Sequence, residues 1–261
     1  MTKKTIKFAS PLIDSKEKKE VLKILNSGIY SQGVKCKKFE ENFKRFTKAK
    51  YATTVNSCTS GMHLFYFSIG LKKGDEVIVP AQTHVATAHA VELTGAKPIF
   101  VDSNLADGNI DIKKVEKKIN KKTKAICIVH FLGFPVEMDK LKKLAKENKI
   151  FLLEDCALSL GATYKKIHTG LWGDAGVFSF YPTKQITSGE GGMIITNNKK
   201  IYEKIKIKKS LGVGQSFLER KIPGIYDTID VGFNYRMSEI HAAIGVEQLK
   251  KFPYFLGYRK K

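Results

Sequence analysis

The chain has 261 residues, 43% of them hydrophobic and 27% charged, enough to bury a sizeable core and too apolar for a disordered polymer. It contains no run of about 18 apolar residues, and its charged N-terminus lacks the apolar stretch of a secretion signal, so a cytoplasmic location is expected. The net charge of +21 comes almost wholly from lysine; the only arginines are Arg45, Arg220, Arg236 and Arg259. Arginine is preferred for bidentate phosphate and base contacts, so its scarcity argues against a specific nucleic-acid surface and for solvated helix faces.

In chain order, the periodicity predicts helices over 15–26 and 36–47, a strand over 51–55 and a helix over 60–70. A strand at 76–79 and a helix at 83–94 follow, then a strand at 98–101 and a helix at 111–119. Strands at 124–129 and 150–153 enclose a helix at 138–148. Strands at 175–180 and 192–196 precede helices at 199–210 and 238–250. Short β-branched runs alternating with helices are the pattern of an α/β fold, with a mostly parallel central sheet and helices on both faces. Ser15 and Asp111 are candidate N-caps, and Gly28, Gly70 and Gly95 stand where helices should stop. Cys36, Cys58, Cys127 and Cys156 have neither metal-site nor redox-pair spacing and read as reduced thiols.

Parallel sheets place ligands beyond the carboxyl ends of their strands, so the loops after the strands are the ones to inspect. Asn56 to Gly61 brings small hydroxyl residues to a helix start, suited to a phosphate but also explained by plain capping through Ser57 or Thr59. Glu154 and Asp155 end an apolar strand; a buried Asp there needs a cation or several donors, whereas a solvated one needs neither. Lys184 follows Tyr181-Pro182-Thr183 and precedes Gly189-Glu190-Gly191-Gly192. On spacing alone it is one lysine among many. Together, a phosphate cradle, a strand-end Asp and a loop Lys are what pyridoxal 5′-phosphate requires.

Further segments lie in register along nearly the whole chain. They include Gly28-Ile29-Tyr30-Ser31-Gln32-Gly33, Gly74 to Pro80, Thr83-His84-Val85-Ala86-Thr87, Val129-His130 and Glu154-Asp155-Cys156-Ala157. Ser179 to Lys184, Gly189 to Met193 and Asn234-Tyr235-Arg236-Met237 complete the series. With them the chain resembles the DegT/DnrJ/StrS sugar aminotransferases, of the aspartate-aminotransferase fold. The resemblance implies pyridoxal phosphate held by Lys184, with Asp155 on the pyridine nitrogen and Thr59, Ser60 and Ser179 on the phosphate. It places His84 on the ring face, where an aromatic residue is usual, and sends Asn234 to the phosphate of a neighbouring subunit's cofactor, hence a homodimer. Tyr30, Gln32 and Glu190 lie in motifs that could approach the sugar.

The implied reaction moves an amino group from an amino acid, usually glutamate, to a keto sugar carried on a nucleotide, for surface polysaccharide or glycan synthesis. Two departures from the family pattern stand out. Leu158 replaces a Gln or His near the cofactor's phenolic oxygen, and Leu cannot donate a hydrogen bond. The family's small C-terminal domain is largely missing. The expected organisation is an N-terminal segment 1–27, a cofactor-binding large domain 28–250, and 251–261 as the start of that C-terminal region. Apolar surface should then be exposed on the last helix and the N-terminal segment. An impaired remnant that binds the cofactor or dimerises without turnover is the alternative reading.

Overall fold

The computed structural model describes residues 9–214, 222 and 225–259; Arg220 and parts of both expected terminal segments (1–8, 260 and 261) lie outside them. Helices α1 (Ser15–Ser27) and α2 (Val34–Thr47) open the chain. Asp14, rather than Ser15, caps α1. Its carboxylate accepts from Lys16 N at 2.7 Å, and Glu17 accepts from Asp14 N at 3.1 Å, so two first-turn donors are satisfied reciprocally. Gly28 ends the helix in the left-handed region at φ 69°, where a side chain would be strained.

Strand β1 (Tyr51–Val55) leads into α3 (Cys58–Ser68), β2 (Glu76–Pro80) into α4 (Val85–Glu92), and β3 (Lys97–Val101) into α5 (Ile112–Lys118). Next come β4 (Thr123–Val129), α6 (Met138–Glu147), β5 (Phe151–Asp155) and a small hairpin of β6 (Thr163–Tyr164) and β7 (Ile167–His168). The chain continues through β8 (Ala175–Ser179), β9 (Gly192–Thr196), α7 (Lys199–Lys208) and α8 (Glu239–Arg259). Seven strands form one sheet in the order β1–β9–β8–β5–β4–β2–β3. All neighbouring pairs are parallel except those made by β9, which runs antiparallel to β1 and to β8.

Strand residues alternate between two apolar layers, as the period of two requires. On one face Val77, Val79, Cys127, Leu153 and Val177 pack with Met62, Leu64 and Phe65 of α3. On the other, Ile78, Ile126, Ile128 and Leu152 pack with Val115 of α5 and Leu141 of α6, while Phe178, Met193 and Ile195 meet α2 and α8. Gly61 lets α3 lie directly on the sheet, since a Cβ there would stand 2.6 Å from Val177 Cγ1.

The sequence pattern ends the last helix at 250, but α8 continues through Pro253 to Arg259. Phe252 is fully buried and Phe255 and Leu256 pack on the same cluster, so tertiary burial outweighs the proline's missing donor. Glu17 of α1 is buried against α8, accepting from Gln248 Nε2 at 2.7 Å and from Lys251 Nζ at 2.6 Å. Beyond this seam Leu12, Tyr254 and Tyr258 are exposed.

Candidate functional site

Asp155 is the last residue of β5 and Glu154 the one before it, so the two carboxylates leave opposite faces of the sheet. Glu154 is wholly buried and structural. Its Oε1 accepts from Trp172 N (2.8 Å) and Gly173 N (2.7 Å), and its Oε2 from Gly170 N (2.7 Å) and His130 Nε2 (2.9 Å). His130 Nδ1 accepts from Val136 N at 3.1 Å, which fixes the tautomer that donates from Nε2. His130, Glu154 and Cys156 bring ligand-type atoms within 4.8 Å of one another, but this carboxylate already serves four donors.

Asp155 is 4% exposed and has a different setting. Its Oδ1 accepts from Ala157 N at 3.0 Å and its Oδ2 from the Thr87 hydroxyl at 2.9 Å. Among the described residues no cationic group hydrogen-bonds to it. Burial pushes its pKa above the ordinary carboxylate range, against the opposing pull of these two donors and of Lys184. A buried carboxylate with one side turned toward the strand ends and no cation of its own suits a protonated ring nitrogen.

The phosphate-type cradle is the start of α3. Ser57 is its N-cap, accepting from Ser60 N at 3.1 Å, and Ser60 Oγ accepts from Ser57 N at 3.2 Å while lying 2.6 Å from Asn56 Oδ1. The Ser60 hydroxyl and N–H are therefore taken up by the cap. The N–H groups of Cys58 and Thr59 have no acceptor within the helix, and they point from its positive end. Half-buried Thr59 adds a hydroxyl beside them. Strand β9 begins against this turn: a Cβ on Gly192 would stand 2.7 Å from Ser57 C and 2.8 Å from Cys58 N. Ser179 pairs with Gly192 across β8 and β9, which brings its hydroxyl to the same corner.

Lys184 stands at the end of a tight turn in which its N–H donates to Tyr181 O at 3.0 Å, with Pro182 supplying the fixed φ. Among the described residues its ammonium has no hydrogen bond or ion pair. The Cys58 thiol, raised by burial, also feels Asp155 and Lys184 with opposite signs, so the loops after β1, β5 and β8 converge there. Gln185 ties two of these loops together, its amide donating to Leu158 O. A cavity of about 610 Å³ opens beside Lys184 and Gln185, walled opposite by Tyr254, Tyr258 and Arg259 of α8.

His84 is exposed and caps α4, its Nδ1 accepting from Ala86 N at 3.2 Å. It lies one turn before Thr87, so the helix start that holds Asp155 also carries the imidazole. Asn234 is exposed on a segment that runs along the cradle loop, where Asn56 N donates to Tyr235 O at 2.9 Å. Exposed Glu190 sits in the loop ahead of β9, and Tyr30 and Gln32 lie between α1 and α2. Thr83, Thr87 and Gln185 carried no role in the sequence reading. The spacing of Thr83 and Thr87, one helical turn apart at a helix start, is the one signal that could have found the first two.

Sheet order, strand-end loops and a lysine beside a buried aspartate define an α/β protein of the aminotransferase type. The DegT/DnrJ/EryC1/StrS aminotransferase family profile matches residues 11–261, and the chain belongs to that family. It is 40% identical over 259 residues to the GDP-perosamine synthase of Escherichia coli O157:H7, covering 99% of this chain and 69% of that protein. Helicobacter pylori PseC, an aminotransferase involved in the biosynthesis of pseudoaminic acid, superposes with a TM-score of 0.89 at 35% identity, over 96% of this chain and 67% of its own. A Streptococcus pneumoniae chain described as a sugar aminotransferase, solved in a pyridoxal phosphate form, gives 0.90 at 29% identity over 98% and 69%. The chain spans about two thirds of the length of the curated relatives it matches. No helix among the described residues is long and apolar enough to cross a membrane.

Proposed function

We propose that this chain carries the cofactor site of a pyridoxal-phosphate-dependent aminotransferase acting on a nucleotide-linked keto sugar. The amino donor is an amino acid, glutamate by family resemblance, and the product enters surface polysaccharide or glycan synthesis. The observation that carries the reading is the convergence of Lys184, buried Asp155 and the α3 N-terminus beyond the carboxyl ends of β8, β5 and β1. The enzyme works as a cytoplasmic homodimer.

The cofactor, when bound, supplies an aldehyde for the amine and a ring that withdraws electrons from the carbon losing its proton. Asp155, its carboxylate already oriented by Thr87 and Ala157, would pair with the ring nitrogen in its protonated form. The N–H groups of Cys58 and Thr59, with the hydroxyls of Thr59 and Ser179, would hold the phosphate, and Ser60 keeps that turn in shape. His84 would stack against the ring. Lys184 would hold the aldehyde carbon and, as a free amine, would carry a proton at its Nζ. Asn234 completes the phosphate site of the partner subunit.

Mixing the purified chain with pyridoxal phosphate should give a visible absorbance band. Borohydride reduction and peptide mapping should then place the adduct on Lys184, and Lys184→Ala should abolish both the specific adduct and amino transfer. Label scattered over surface lysines, or full transfer by Lys184→Ala, would sink the proposal.

A further inference from the structure

Thr87 is fully buried in the first turn of α4 and donates its hydroxyl hydrogen to Asp155 Oδ2 at 2.9 Å. Its oxygen lies 2.7 Å from Thr83 Oγ1. Because the Thr87 hydrogen is committed to Asp155, Thr83 is the donor in that second bond. The result is a directed chain from Thr83 through Thr87 to the carboxylate, in which each bond polarises the next. Ala157 N holds the other oxygen at 3.0 Å, so the plane of the carboxylate is fixed at both ends. Thr87 lies three residues after His84, on the same face of the same helix start, and that positive end of the helix favours an ionised neighbour.

The burial of Asp155 makes this arrangement consequential. A buried carboxylate with no cation hydrogen-bonded to it tends to take up a proton, and a protonated Asp155 could not pair with a protonated ring nitrogen. Two donors and a helix N-terminus oppose that tendency before any ligand arrives.

We propose that Thr87, backed by Thr83, is a positioning residue that orients Asp155 and favours its ionised form, so that the start of α4 sets the strength of the Asp155–ring nitrogen pair. This rests on the proposed pairing of Asp155 with the ring nitrogen. A purely structural threonine would support the fold without distinguishing one ring atom from another.

The test compares equilibrium binding of two probes, pyridoxal phosphate and its 1-deaza analogue, in which carbon replaces the ring nitrogen while aldehyde and phosphate remain. Wild type should bind pyridoxal phosphate the more tightly. Thr87→Val keeps the shape and removes the donor. It should weaken pyridoxal phosphate binding roughly 10- to 100-fold, the worth of a hydrogen bond to a charged group, and leave the deaza analogue nearly unchanged. Thr87→Ser, which keeps the hydroxyl, should restore the preference. Should Thr87→Val fail to fold, Thr83→Val at a half-buried position carries the same comparison, with a smaller loss confined to pyridoxal phosphate.

Equal weakening of both probes by these variants, or no weakening of either, overturns the proposal. If wild type itself binds both probes equally, the pairing of Asp155 with the ring nitrogen fails instead, and the two failures are distinguishable.

Discussion

Glu154 and Asp155, adjacent acids at the end of β5, should respond oppositely to removal of charge. Glu154 accepts four hydrogen bonds at 2.7 to 2.9 Å, three from backbone N–H groups of the 170–173 loop and one from His130. In Glu154→Gln the amide oxygen can serve only two of these donors, and the NH₂ faces the other two. Reversing the His130 tautomer gives that NH₂ an acceptor, but it strips Val136 N of its own. At least two buried donors are therefore left unpaired in either arrangement. At about 1–3 kcal/mol each the loss is about 2–6 kcal/mol, a large share of the ~5–15 kcal/mol that holds a domain together.

Asp155→Asn has the reverse prospect. The amide oxygen can still accept from Ala157 N, and the amide can donate to Thr87 Oγ1, whose hydrogen then turns to Thr83. No donor is stranded, and a carboxylate disfavoured by burial is removed. Its stability should stay within about 1 kcal/mol of wild type while pyridoxal phosphate binding falls sharply. Urea unfolding of the cofactor-free chain, followed by circular dichroism, measures the first quantity, and absorbance titration measures the second. A Glu154→Gln loss below about 1 kcal/mol would refute the accounting of unpaired donors.

Gly192→Ala should weaken pyridoxal phosphate or free phosphate binding, because its methyl would force β9 away from Ser57 and Cys58; unchanged binding would show that the cradle does not depend on this contact. Glu20 is held down to about 2, first by Lys23 and then by Lys35. Its stabilisation is thus complete above an unfolded pKa of about 4.3 and is lost as pH falls through the folded value. The stability difference between wild type and Glu20→Gln should be constant near neutrality and close on acidification, and a gap that widens instead contradicts this sign. Gln185→Ala frees the Lys184 loop from Leu158 and should make that loop more susceptible to proteolysis without shifting the urea midpoint by more than about 1 kcal/mol in stability.

Most strands were legible because their apolar runs are short, β-branched and bounded by polar residues, and burial on both faces leaves little else for them to form. Local capping was less so. Asp14 and Ser15 are both competent caps, and what decides between them is Glu17, which also has to face α8. The end of α8 was illegible because Pro253 argues for a stop that only the burial of Phe252 overrides. At the site, Lys184, Asp155 and the α3 turn could be named from their motifs. The Thr87–Asp155 and Gln185–Leu158 bonds could not, since they join residues 68 and 27 positions apart and depend on how loops meet.

Strand β1 enters the sheet only at its edge, where Tyr51 pairs with Thr196. The helix it feeds carries the phosphate-type turn, so that turn is put in place by a segment synthesised long after it. Loop closure over so great a separation is slow, and a chain emerging at about 5–20 residues per second must wait many seconds for its partner. Until β9 is made, the cradle's strand has no partner in the sheet and Ser57 lacks the neighbour that Gly192 provides. Cofactor capture therefore waits until β9 has emerged, and nascent chains shorter than β9 depend on other means to avoid sticking to one another.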